Sequence, residues 1–270
     1  MRRILAIVLA CLFTGPTHAQ SKPATTPLPA KENFHLYLLM GQSNMVGRDR
    51  KGMDTSAENP RILSLNPEGQ WVIAKDPLHP KIGAIEPGIG PGLSFATEML
   101  KDEKNPKVTI GLIPCAVGGT PLKRWVKDGD LYKQAIERAK AASKDGVIKG
   151  VLWHQGESDT EKPENADTYG TRLTGMLKDL RKDLSQPDLP IVVGQLGEFL
   201  ALTPEKFPCA ATVQAAIKKI PDTVPHTGYA DSAGLGHKGD KLHFNTEGAK
   251  EFGTRFATAM KDLQKPKKKP

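Results

Sequence analysis

The stretch "LYLLMGQSNMVGR", residues 36–48, decides how this chain is read. Its first part is a continuous apolar run, the pattern of a strand buried on both faces of a parallel sheet. The run ends abruptly on Gly41-Gln42-Ser43-Asn44. In open α/β sheets ligands bind in the crevice outside the carboxyl ends of the strands, so a serine delivered there is a candidate nucleophile. Ser and Asn are also ordinary helix caps and Gly an ordinary turn residue, so the rest of the chain has to decide.

Working outward, similar apolar runs lie at 108–113, 147–153 and 190–196, with a weaker one at 61–65. Helical spacing is expected over 92–103, 130–143, 165–184, 209–220 and 246–263, the last carrying Ala249, Phe252, Phe256 and Met260 on one face. Strands alternating with helices give βαβ units, hence a single-domain α/β chain with a central parallel sheet between two helical layers. "GQSNM", "PCAVGGTPLKRW" and "HQGESDT" directly follow three of these strands. In a parallel sheet all three loops emerge at the same end and can wall one pocket.

With 270 residues and 38% apolar content the chain can bury a full core. Residues 1–19 have a basic start, an apolar stretch and a Thr17-His18-Ala19 exit, the pattern of a secretory signal cut after Ala19. That stretch is too short for a membrane anchor, and secretion or a periplasmic location is expected. Residues 20–31 read as a flexible leader, 32–263 as the domain and 264–270 as a basic tail. The formal charge of +8 falls to +6 without Arg2 and Arg3, and to +2 without Lys265, Lys267, Lys268 and Lys269. A domain so nearly neutral lacks the electrostatic footprint of a nucleic-acid binder. The spacing of Cys and His offers no metal motif, and no cofactor is expected. Cys115 and Cys209 are open to either pairing or burial as free thiols.

A serine hydroxyl needs a base, and the base an orienting acid. "GHKGDKLHF" places Asp240 three residues before His243 in a loop leading into the last helix. In isolation that pattern also fits a turn cap and a surface histidine. Taken together, "GQSNM", "VGG", "HQGES" and "DKLHF" resemble, in order and spacing, the blocks of the SGNH hydrolase superfamily. The closer likeness is to its sialate O-acetylesterase and acetylxylan esterase branch, carbohydrate esterase family 6, over most of residues 34–260. The resemblance implies a flavodoxin-like SGNH hydrolase fold with Ser43 as nucleophile, His243 as base and Asp240 orienting it. It also implies oxyanion donors from the Ser43 N–H, a glycine N–H of Gly118-Gly119, assigned to Gly119, and the Gln155 side chain. The wider superfamily has Asn where this chain has Gln155, a swap usual in the carbohydrate esterase branch. An α/β-hydrolase is disfavoured, because Met45 replaces the second glycine of G-x-S-x-G and the serine follows the first strand.

Gln42, Asn44 and Glu157 are further candidates for substrate contact or support, Glu157 also being able to cap the segment after its strand. Arg124 and Trp125 are candidates for sugar contact, whereas Trp153, at the end of a buried strand, reads as core. The expected function is a secreted serine esterase acting on an acetylated carbohydrate. The alternative is a non-catalytic carbohydrate-binding protein on the same fold. Selectivity is expected in loops 48–60, 76–91 and 197–208.

Overall fold

The computed structural model describes residues 27–54 and 58–265. The signal, most of the leader and the end of the basic tail lie outside the described residues. Seven strands, β1 (Phe34–Gly41), β2 (Ile62–Leu65), β3 (Trp71–Ile73), β4 (Thr109–Pro114), β5 (Val147–His154), β6 (Ile191–Gly194) and β7 (Thr227–Ala230), form one sheet in the order β3-β2-β4-β1-β5-β6-β7. All pairings are parallel except the edge pair β2/β3, so the sheet is mostly rather than wholly parallel. The helices are α1 (Ser43–Val46), α2 (Pro91–Lys101), α3 (Asp130–Ala142), α4 (Pro163–Asp167), α5 (Tyr169–Asp183), α6 (Ala210–Lys218), α7 (Ile220–Thr223) and α8 (Thr246–Gln264). None is long and apolar enough to cross a membrane.

Central β1 is apolar throughout because both of its faces are covered. On one side, Tyr37 meets Phe95 of α2 edge to face at 5.0 Å, and Leu39 closes on Gly92 of the same helix. On the other, Leu36 reaches Gly146, just after α3. Helices α2 and α8 pack together over the first face, with Phe252, Phe256 and Met260 of α8 fully buried. The side-chain oxygen of Asn245 caps α8 by accepting from the Gly248 N–H at 2.8 Å.

The sequence spacing runs 165–184 and 209–220 as continuous helices, but each is broken. The first is split at Thr168, and Pro221 opens α7 as a separate turn after α6. Pro tolerates only the first turn of a helix, which accounts for the second break. Cys115 and Cys209 are both free. Burial pushes the Cys115 thiol up to about 11.

Candidate active site

The strand order seats β1 between β4 and β5, so the loops after these three strands are neighbours at one edge of the sheet. Backbone bonds stitch them together. The Gln42 N–H donates to His154 O at 2.9 Å, and the Val117 N–H donates to Gly41 O at 3.0 Å. The junction requires glycine at 41: its φ is +134°, and a Cβ there would lie 1.9 Å from the His154 carbonyl oxygen. Beyond it the chain turns into α1 with Ser43 as the first helical residue, where an N–H has no intrahelical acceptor and stays available to a ligand.

The loop before α8 brings the other partners. His243 Nε2 lies 3.0 Å from Ser43 Oγ, and His243 Nδ1 lies 2.8 Å from Asp240 Oδ2. The second Asp240 oxygen accepts from the Leu242 N–H at 3.0 Å and the His243 N–H at 2.9 Å, while Lys238 Nζ stands 3.1 Å from Oδ2. Partial burial pulls the Asp240 carboxyl upward. The His243 N–H and imidazole, the Leu242 N–H and Lys238 outweigh it and hold the group well below the usual carboxylate range. Serine, histidine and aspartate thus form one hydrogen-bonded chain spanning 200 residues of sequence. Asp231, the next acid before Asp240 in the chain, is exposed and faces Arg255 and the Ala233 N–H instead.

Asn44 does something its sequence position did not reveal. Its amide donates to Glu157 Oε1 at 2.6 Å and to Leu242 O at 3.1 Å, and its oxygen accepts from the Phe244 N–H at 3.1 Å. The residues on both sides of His243 are therefore gripped from the nucleophile loop, and Glu157 fixes the grip. Glu157 is 2% exposed, and its second oxygen has no hydrogen-bond partner among the described residues.

Gln155 is corrected as an oxyanion donor. Its side chain is fully buried, with the amide nitrogen facing Gln42 Oε1 at 3.1 Å, Thr120 O at 3.0 Å and Asp159 Oδ2 at 2.7 Å, and it lies outside the cleft lining. It is a positioning residue: it holds the Gln42 oxygen, so the NH₂ end of Gln42 is what a ligand in the cleft can meet. Asp159, Thr120 and Tyr169, whose hydroxyl donates to Gln155 O at 2.6 Å, complete this support. Asp159 was visible inside "HQGESDT" without a signal for its role, and Tyr169 carried no signal at all.

Two further expectations fail. Trp125 is fully buried, donates from Nε1 to Thr120 Oγ1 at 3.0 Å and packs edge to face on Trp153, so it is core like Trp153. Arg124 is paired with Asp130 and does not line the cleft. Arg48, which was not singled out in the sequence, lies at the site instead: a Cβ on Gly118 would lie 1.9 Å from its Nη2 and 3.6 Å from Ser43 Cβ.

Ser43 and His243 open onto a cleft of about 300 Å³, with Gln42 and Glu157 in its floor and Gly118-Gly119 on one side. Gly119 has φ +69°, and nothing lies within 4 Å of where a Cβ would stand. A family model described as "Carbohydrate esterase, sialic acid-specific acetylesterase" matches residues 33–262. The chain belongs to that family. It is 32% identical over 263 residues to a probable carbohydrate esterase of Arabidopsis thaliana, covering 90% of this chain and 95% of the relative. The crystal structure of that plant protein superposes with a TM-score of 0.76 at 31% identity, over 86% of this chain and 99% of the other. A carbohydrate acetylesterase from Xanthomonas citri shares the fold at a TM-score of 0.65 and 21% identity, over 84% of this chain and 56% of that one. Family membership makes the protein a carbohydrate esterase, and all the blocks that build the cleft fall inside the matched region.

Proposed function

We propose that the protein is an exported serine esterase that removes O-acetyl groups from carbohydrates through an acyl-enzyme. The observation that carries the reading is the chain Ser43 Oγ, His243 and Asp240, at 3.0 Å and 2.8 Å, opening onto the cleft. Ser43 Oγ attacks the ester carbonyl carbon as His243 Nε2 takes its proton. Asp240 holds Nδ1 protonated, which leaves the Nε2 lone pair facing the serine. The tetrahedral oxyanion is met by the N–H groups of Ser43 and Gly119 and the NH₂ of Gln42, neutral donors fixed before the reaction, each worth roughly 3 kcal/mol of transition-state stabilisation. Collapse breaks the bond to the sugar oxygen, which receives the proton from His243. Water, deprotonated by the same histidine, then attacks the acetylated serine and releases acetate. The basic, apolar and small-residue order of residues 1–19 supports export toward an extracellular glycan.

The test is acetate release from acetylated xylan, O-acetylated sialosides, simple acetylated sugars and longer-chain aryl esters. Cleavage of one or more sugar acetates, with turnover falling as the acyl chain lengthens, is expected. Activity on long acyl chains alone would contradict the reading.

A further inference from the structure

Among the described residues, four large hydrophobic side chains are exposed, and two of them, Ile82 and Ile85 at 57% and 63%, stand together at the mouth of the catalytic cleft. Their position is built rather than incidental. Ile82 and Ile85 bridge each other across a tight turn in which Gly83 supplies φ +72°. The hairpin is tied to the nucleophile loop at several points. The Gly88 N–H donates to Gly47 O at 3.0 Å, the Ile89 N–H to Asp49 O at 2.8 Å, and Arg50 Nη1 to Pro87 O at 2.9 Å. Arg48, packed on Gly118 beside Ser43, also reaches the Glu86 carbonyl at 3.5 Å. Exposed aliphatic surface costs free energy of hydration, and where it is held in place beside a site it marks a surface that is covered when the site is filled.

The rest of the mouth says what covers it. Pro80, Ile82, Ile85 and Val117 give the cleft apolar lining, while Arg48, Glu157, Ser158 and Glu161 give it polar lining. A pyranose ring is apolar on its C–H faces and ringed by hydroxyls, so it fits a cleft lined by both kinds of group. We infer that Ile82 and Ile85 form a platform for the C–H face of the sugar ring that carries the ester, with the ring's hydroxyls turned to the Glu157–Glu161 side. This rests on the carbohydrate reading above and names the residues through which the leaving group is recognised. Loop 76–91 thereby acquires a defined role, and specificity for sugar esters over small alkyl esters resides in its tip.

The experiment compares kcat/KM for methyl 6-O-acetyl-glucopyranoside, which keeps its ring hydroxyls free, and for ethyl acetate, whose leaving group has no ring, in wild type, Ile82→Ser/Ile85→Ser and Ile82→Leu/Ile85→Leu. The serine pair is expected to lose about tenfold or more on the sugar ester, carried by KM, and to stay within about twofold on ethyl acetate. The leucine pair should stay near wild type on both. If the serine pair proves unstable, the more exposed Ile85→Ser alone carries the comparison. Equal changes on both substrates, or an unchanged sugar ester, would overturn the platform while leaving the carbohydrate reading intact. A wild type that cleaves ethyl acetate and no sugar acetate would overturn that reading and the platform with it.

Discussion

Replacing Asp240 by Asn tests the site at its most constrained point. One carboxylate oxygen accepts from two backbone N–H groups, those of Leu242 and His243, while the other accepts from His243 Nδ1 and faces Lys238. An Asn side chain has one oxygen, and the two backbone donors dictate where it goes. Its NH₂ group then points at Nδ1 and donates to it, which forces the imidazole proton onto Nε2, the atom 3.0 Å from Ser43 Oγ. A histidine in that tautomer cannot accept the serine proton. The same exchange in a serine protease triad costs about 10⁴ in turnover. Here Asp240 is a loop residue one-third exposed, where water can partly take over its role, so a loss of at least about 100-fold in kcat, some 2.7 kcal/mol, is expected. Steady-state kinetics on an aryl acetate, with near-UV circular dichroism to confirm packing, gives the comparison, and Asp231→Asn is the control, expected within a few-fold of wild type. A fully active Asp240→Asn, or a crippled Asp231→Asn, would refute the tautomer reasoning.

Asn44→Ala removes the grip on both neighbours of His243 and leaves Leu242 O, the Phe244 N–H and Glu157 Oε1 without a partner, at about 1–3 kcal/mol each. Urea denaturation should give a clearly lower midpoint, and kcat should fall at least about tenfold with KM little changed; an unchanged kcat would deny the grip a part in catalysis. Burial pushes Asp76 up to about 7 from its ordinary 3.8, against the Gly90 N–H and Lys250, which pull it down. The native state therefore holds a proton at Asp76 that the unfolded chain has already lost, and this group's contribution to stability falls as pH rises from about 4 to about 7 and levels off above. Asp76→Asn should flatten that slope and raise stability at neutral pH by at most about 4 kcal/mol; denaturation curves across this range that keep the wild-type slope would show that Asp76 is not its source.

The centre of the fold was legible because β1, β4, β5 and β6 are covered on both faces and so read as unbroken apolar runs. Strands β3 and β7 were not: they have three and four residues, lie at the two edges, and Thr227-Gly228-Tyr229-Ala230 carries no pattern of its own. For the site, chain order alone predicted that three loops would meet, and the strand order brings them together. Asp240 and His243 were legible because three residues of loop are enough to close their contact. Gln155 and Trp125 were misjudged for one reason: a polar or amphipathic side chain near a pocket faces in or out according to partners supplied from elsewhere in the chain. Asp159 and Thr120 turn Gln155 away from the cleft, and Thr120 and Trp153 bury Trp125. The part played by Asn44 depends on contacts 113 and about 200 residues away, which no local pattern encodes.

The most direct measurement is of the nucleophile itself. Wild-type protein and Ser43→Ala are mixed with an aryl acetate, quenched early and digested, and the peptide spanning Ser43 is weighed while acetate release is followed in parallel. A transient gain of one acetyl group on that peptide is expected in the wild type and none in Ser43→Ala, with turnover in the variant below about a tenth of wild type and the fold intact. Acetate release by Ser43→Ala at close to the wild-type rate, or an acetyl group carried on another peptide, would contradict Ser43 as the nucleophile.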